Sequence, residues 1–136
     1  MSILLDTQGM QSKVDSYRCG DLRIMDISAK HFGDEVLIRM ECDLTHDIVF
    51  TFSGCDRVEM QHWFGYPKFR PVKELKRGAI PYFVCTITVS AEEHEGEEYY
   101  VFDMVLHPMY MKVYCRNLAI TTVENLSRLH DNDSVL

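Results

Sequence analysis

Asp103 stands inside the otherwise apolar run YYVFDMVL. A carboxylate in that setting needs a hydrogen-bonding or cationic partner, or else takes up a proton. Three roles are open to it: proton transfer in a pocket, a structural polar contact, or a contact with a partner. Six histidines, His31, His46, His62, His94, His107 and His130, titrate near neutrality and suit acid-base or metal chemistry. Their spacing matches no recognised ligand set, and His46 and His62, on successive strands or turns, are the pair best placed to approach. The five cysteines, Cys19, Cys42, Cys55, Cys85 and Cys115, form no CxxC and are odd in number, so reduced thiols are expected. Cys55 after Gly54 becomes a nucleophile only if exposed beside a positioned base. GxGxxG, Walker, HExxH, GxSxG and EF-hand patterns are all missing, which removes the sharpest enzyme hypotheses. No catalytic residue, metal ligand or cofactor is assigned, and a non-enzyme is favoured.

Charge and aromatic groups offer recognition chemistry instead. Glu92, Glu93, Glu95, Glu97 and Glu98 concentrate negative potential in the segment AEEHEGE, where carboxylates engage Arg or Lys. The bland reading of the same residues is a solvated turn. HWFGYPKF gathers Trp63, Phe64, Tyr66 and Phe69, with Trp63 and Tyr66 the candidate interface anchors and the plugging of a sheet end the competing role. Lys68, Arg70, Lys73, Lys76 and Arg77 face only Glu74, a local excess of four positive charges suited to a phosphate or an acidic partner. The whole chain, however, carries 14 Lys and Arg against 21 Asp and Glu, a net −7. That balance disfavours nucleic acid as the main partner and accommodates a basic protein.

These groups need a frame. At 136 residues, 46% hydrophobic, with 7 Gly and 4 Pro, the chain is expected to form a single domain over 1–136 with a real core. In DEVLIRMEC, Val36, Ile38, Met40 and Cys42 alternate with Leu37, Arg39 and Glu41, the period of a half-buried strand. IVFTF and RVEMQHWF follow across short turns, so three consecutive strands predict an antiparallel meander. DLRIMDIS adds a weaker strand with Leu22, Ile24 and Ile27 inward. IPYFVCTITVS and EYYVFDMVLH predict a hairpin whose exposed tip is AEEHEGE, with Gly96 in the turn. Neither face of its second arm is plainly polar, which predicts a core on one side and a helix or a partner, including a second copy in a homodimer, on the other. Pro108 bends the chain before MYMKVYC. Thr121-Thr-Val-Glu124 has capping-box spacing ahead of Leu126 and Leu129, which predicts a C-terminal helix. The segment from Ile3 to Tyr17 reads as a helix or cover that Gly9 interrupts. The expected architecture is α+β: a predominantly antiparallel curved sheet of about six or seven strands, or a partly open barrel, with one or two short helices.

The run from GDLRIMDIS through DEVLIRMEC and IVFTFSGCDRVEMQHWFG resembles the strand-rich organisation of small immunity proteins of bacterial polymorphic-toxin or contact-dependent inhibition systems. The resemblance covers about half of the chain and carries no shared residue set. It implies a stoichiometric, non-enzymatic inhibitor whose partner is a cognate toxin, often a basic nuclease. Acidic balance and small size agree with that in general terms. Two alternatives remain: a small-molecule hydrolase or isomerase using Asp103 and a histidine, and a nonenzymatic ligand-binding or structural module. The start, MSILLDTQGMQSK, lacks a signal-peptide pattern and no later run approaches a membrane span, so cytoplasmic residence without membrane contact is expected.

Overall fold

Alternation of apolar and polar residues dominates the chain, and the computed structural model, which describes residues 5–63, 72–74 and 81–125, turns that alternation into two antiparallel sheets. In chain order the described elements are α1 (Thr7–Asp15), β1 (Ile24–Lys30), β2 (Glu35–Glu41), β3 (His46–Ser53), β4 (Arg57–His62), β5 (Thr86–His94), β6 (Glu97–Leu106), β7 (Met109–Cys115) and β8 (Asn117–Glu124), with short 3-10 turns at His31–Gly33 and Val72–Glu74. The first sheet has the order β1-β2-β3-β8 and the second β4-β7-β6-β5. This is the expected α+β architecture with curved, open sheets, and neither sheet closes into a barrel.

The inward residues of both sheets meet in one core. Val36, Ile38 and Met40 of β2, Phe50 and Phe52 of β3, Phe102, Met104 and Leu106 of β6, and Met111 and Val113 of β7 are all buried in it. Phe52 and Phe102 join the layers edge to face, with ring centroids 4.9 Å apart. Such contacts contribute about 0.5–1.5 kcal/mol beyond the area they bury. The methionines expected to fill packing space, Met104, Met109 and Met111, do so. On the outer side of the first sheet Asp47 is fully buried, held by Arg39 Nε at 2.5 Å and Asn125 Nδ2 at 2.9 Å.

Helix α1 closes one open side of the two layers. Asp6 caps it by accepting from the Gly9 N–H at 2.8 Å, and a Cβ on Gly9 would lie 2.2 Å from the Asp6 carboxylate. Gly9 therefore makes room for the cap and does not interrupt the helix. Met10 and Val14 face the core, while the Gln11 amide donates to the Ile87 carbonyl at 2.9 Å and accepts from the Val89 N–H at 2.7 Å. One side chain thus supplies the hydrogen bonds of a further strand along the edge of β5. Lys13 reaches across to the Leu118 carbonyl of β8 at 2.7 Å, tying the second sheet's cover to the first.

Three further expectations are corrected. The meander is β1-β2-β3, because Gly54, at φ +63°, redirects the chain so that β4 pairs with β7 in the other sheet. Arg116 makes the return crossing between β7 and β8. Thr121–Glu124 is strand, since His46 to Val49 offer it a full antiparallel ladder and β-branched Ile120, Thr121, Thr122 and Val123 suit one; Leu126 and Leu129 lie outside the described residues. The hairpin loop is also shorter than AEEHEGE, for β5 continues to His94 and only Glu95 and Gly96, both at positive φ, make the turn. That is the two-residue geometry whose twist matches the strands.

Candidate partner-binding site

The second sheet presents an outer face that the sequence left unexplained. Tyr99, Val101 and Tyr114 form a small buried cluster there. Arg116 lies over the Tyr99 ring at 4.8 Å, and Lys112 and Arg57 lie over Tyr114 at 5.5 Å and 5.9 Å. The second apolar face of β6 is thus roofed by cationic side chains. Asp103 belongs to this face, exposed and 3.8 Å from Lys112. The adjoining depression of about 320 Å³ is lined by Glu59, Gln61, Thr88, Asp103, Tyr110 and Lys112 among others, with no histidine. Asp103 therefore has an ion-pair partner, and the geometry supplies no acid-base pair for the hydrolase reading. Among the described residues no group of three or more histidine, cysteine or carboxylate side chains is placed to hold a metal ion.

The glutamates sort by strand register. Glu92 and Glu97 point to the outer face, where Glu92 lies 3.3 Å from His94 and Glu97 lies 2.9 Å from Arg116. The Arg116 guanidinium is held above its ordinary pKa, first by its hydrogen bond with Tyr99 and then by Glu97. Glu93 and Glu98 stand directly opposite each other across the ladder on the other face. Glu98 also accepts from the Leu5 N–H at 3.4 Å, and Glu95 is exposed in the turn. Like charges opposite one another destabilise an antiparallel pair.

Trp63 lies at the other end of the molecule. Its backbone N–H donates to the Pro108 carbonyl at 3.0 Å, and its ring packs against His107 at 4.4 Å and Tyr110 at 5.7 Å. The ten residues of β6 separate it from the hairpin turn, roughly 30 Å at about 3.3 Å per residue. The structure therefore does not bring Trp63 and the glutamates together. Tyr66 and its neighbours Phe64 and Phe69 lie outside the described residues, as does the basic segment apart from Lys73 and Glu74.

What does join the hairpin at its end is the β1–β2 turn and the β3–β4 turn. The Cys55 N–H donates to the Asp34 carbonyl at 3.0 Å, and the Arg116 N–H donates to the Ser53 carbonyl at 3.1 Å. Asp34 and Asp56 are exposed there. Cys55 Sγ lies in hydrogen-bond contact with the buried Cys115 thiol, which holds the Cys55 pKa below its ordinary value and pushes that of Cys115 up. Phe32, in the β1–β2 turn, extends wholly into solvent. Sequence reasoning passed over it; the trace was an aromatic beside Gly33 in a short polar break between two alternating runs.

The model of the family described as Immunity protein PIM7 matches residues 6–122. No curated protein matches the chain at a significant level. The family match begins at the Asp6 cap of α1 and runs into the last turn of ladder between β8 and β3, so it covers both sheets, the acidic hairpin and the turns beside it. The chain belongs to the Immunity protein PIM7 family and is a toxin-neutralising protein whose partner is a cognate toxin.

Proposed function

We propose that the chain neutralises a basic, nuclease-class toxin by laying its acidic end over the toxin's substrate-binding surface. The observation that carries this reading is the Glu93–Glu98 pair, two carboxylates kept opposite each other in the ladder. Carboxylates gathered this closely concentrate negative potential, which favours a cationic partner. A nuclease must itself hold phosphates, so its substrate surface is rich in Lys and Arg. Carboxylates at Glu92, Glu93, Glu95, Glu97 and Glu98, with Asp34 and Asp56, match such a surface and would occupy it in place of nucleic acid.

Fragments of the source genome, expressed inducibly in a bacterial host with and without this chain, identify the toxin as the fragment that kills only when the chain is missing. The purified fragment is then tested for nucleic acid cleavage against increasing amounts of the chain. Loss of cleavage at an equimolar ratio is expected. Charge reversal by Glu93→Lys and Glu97→Lys should weaken the complex and flatten its salt dependence. A toxin that is inhibited equally well by both variants would remove the hairpin from the interface, and a rescued toxin without nuclease activity would remove the nuclease assignment.

A further inference from the structure

Phe32 is a large aromatic in a costly place. It is 113% exposed relative to an extended reference and makes no ring contact among the described residues. Its backbone sits at φ +60° and ψ +26°, between His31 at φ +53° and Gly33 at φ +93°. Three consecutive left-handed residues suit glycine or asparagine, and a bulky side chain there is disfavoured.

The turn is nevertheless firmly placed. The Asp34 N–H closes it on the His31 carbonyl at 3.1 Å, the Asp34 carbonyl accepts from Cys55, and His31 lies 3.8 Å from Glu35. A depression of about 390 Å³ separates the turn from the start of β4 and includes Cys55, Asp56 and Val58 in its walls. Val58, at the start of β4, is an exposed apolar residue in that wall. Aromatic residues on rigid supports, ringed by polar groups, are the usual anchors of protein interfaces.

We propose that Phe32 is the apolar anchor of the toxin interface, inserting into a pocket of the toxin whose basic rim meets Asp34 and Asp56. The proposal rests on the acidic-end reading and adds the anchor to it. In the second sheet β4, beside Phe32, is two strand spacings from β6, which carries Glu97 and Glu98, and three from β5, which carries Glu92 and Glu93, roughly 10–14 Å at about 4.8 Å each. Phe32 and the glutamates therefore fit within one interface of ordinary size, about 800 Å² on each partner. Charge selects the occupant. A second copy would bring the same carboxylates, on a chain of net charge −7, against Asp34 and Asp56, whereas a basic toxin finds both an aromatic and its counter-charges.

The toxin fragment recovered by the survival selection is the probe, and its affinity for Phe32→Ala is measured by calorimetry at two salt concentrations. A loss of roughly 30- to 100-fold is expected, nearly equal at both salts, while Glu93→Lys loses affinity mainly at low salt. Thermal unfolding should show Phe32→Ala folded as well as the parent, and Phe32→Gly somewhat more stable. If Phe32→Ala binds within threefold of the parent while Glu93→Lys binds weakly, the anchor is overturned and the acidic-end reading stands. If neither variant is weakened, both fall. A photoreactive phenylalanine analogue at position 32 gives an independent readout: it should cross-link to the toxin, and the same analogue at exposed Leu44, on the opposite end of the first sheet, should not. Sedimentation showing a parent dimer that Phe32→Ala dissociates, with toxin affinity retained, would assign the surface to a second copy and overturn the proposal.

Discussion

Replacing Gln11 tests whether a single side-chain amide seals the edge of the second sheet. The amide makes two part-buried hydrogen bonds to β5, donating to Ile87 and accepting from Val89, and an exposed one to Asp15. Each of the first two contributes about 1 kcal/mol net, and truncation also leaves an N–H and a carbonyl to be rehydrated at a partly covered site. Alanine is a slightly better helix former, which returns a few tenths of a kcal/mol. Gln11→Ala should therefore lose about 2 kcal/mol, or roughly 6–8 °C in Tm for a domain of this size. Gln11→Glu keeps the acceptor for Val89 but has no donor for Ile87 at neutral pH, so it should lose about half as much. Urea unfolding followed by fluorescence of Trp63, the single tryptophan, reads both, and an unchanged slope would show that only stability moved. The reasoning fails if Gln11→Ala unfolds within about 0.5 kcal/mol of the parent, or if Gln11→Glu matches the full alanine loss.

The other stability predictions follow from buried groups. Asp47→Ala breaks the contacts with Arg39 and Asn125 and should cost about 3 kcal/mol, the low end for a buried pair because Arg39 is partly exposed and can regain water; a loss under about 1 kcal/mol in the same urea assay would refute it. Burial pushes the Cys19 thiol up from 9.0 to about 11, with Cys42 adding to the shift. Its folded pKa is raised, so its contribution is complete below pH 9 and is lost between about 9 and 11, as the unfolded chain ionises first. Stability should fall across that window, and Cys19→Ala should show a shallower fall over the same pH range.

The strands were legible because alternation is local. Val36, Ile38 and Met40, or Phe102, Met104 and Leu106, declare a buried face whatever strand lies beside them, and the break at Glu95-Gly96 declares a hairpin. Strand order likewise carried the resemblance to immunity proteins, a family membership that the match over residues 6–122 establishes. Pairing partners were not legible, because the same alternation fits any neighbour. The chain turns at Gly54, at positive φ, and β4 pairs with β7 instead of β3, while the ladder offered by β3 makes Thr121–Glu124 a strand where its spacing suited a helix cap.

The candidate site divides in the same way. Composition located the glutamates, but a two-residue turn decided that they alternate between faces and that Glu93 meets Glu98. Trp63 looked equally suited to an interface and to a sheet end, and its packing on His107 puts it at the end away from the hairpin. Phe32 had no periodicity to mark it, since its exposure follows from three left-handed residues in a turn. The sequence by itself determined which residues face inward and that the surface is acidic, because hydrophobicity and charge belong to each residue. Which surface residues stand together was decided only by the tertiary structure, because it depends on backbone angles at a few turns and on strand pairings between distant parts of the chain.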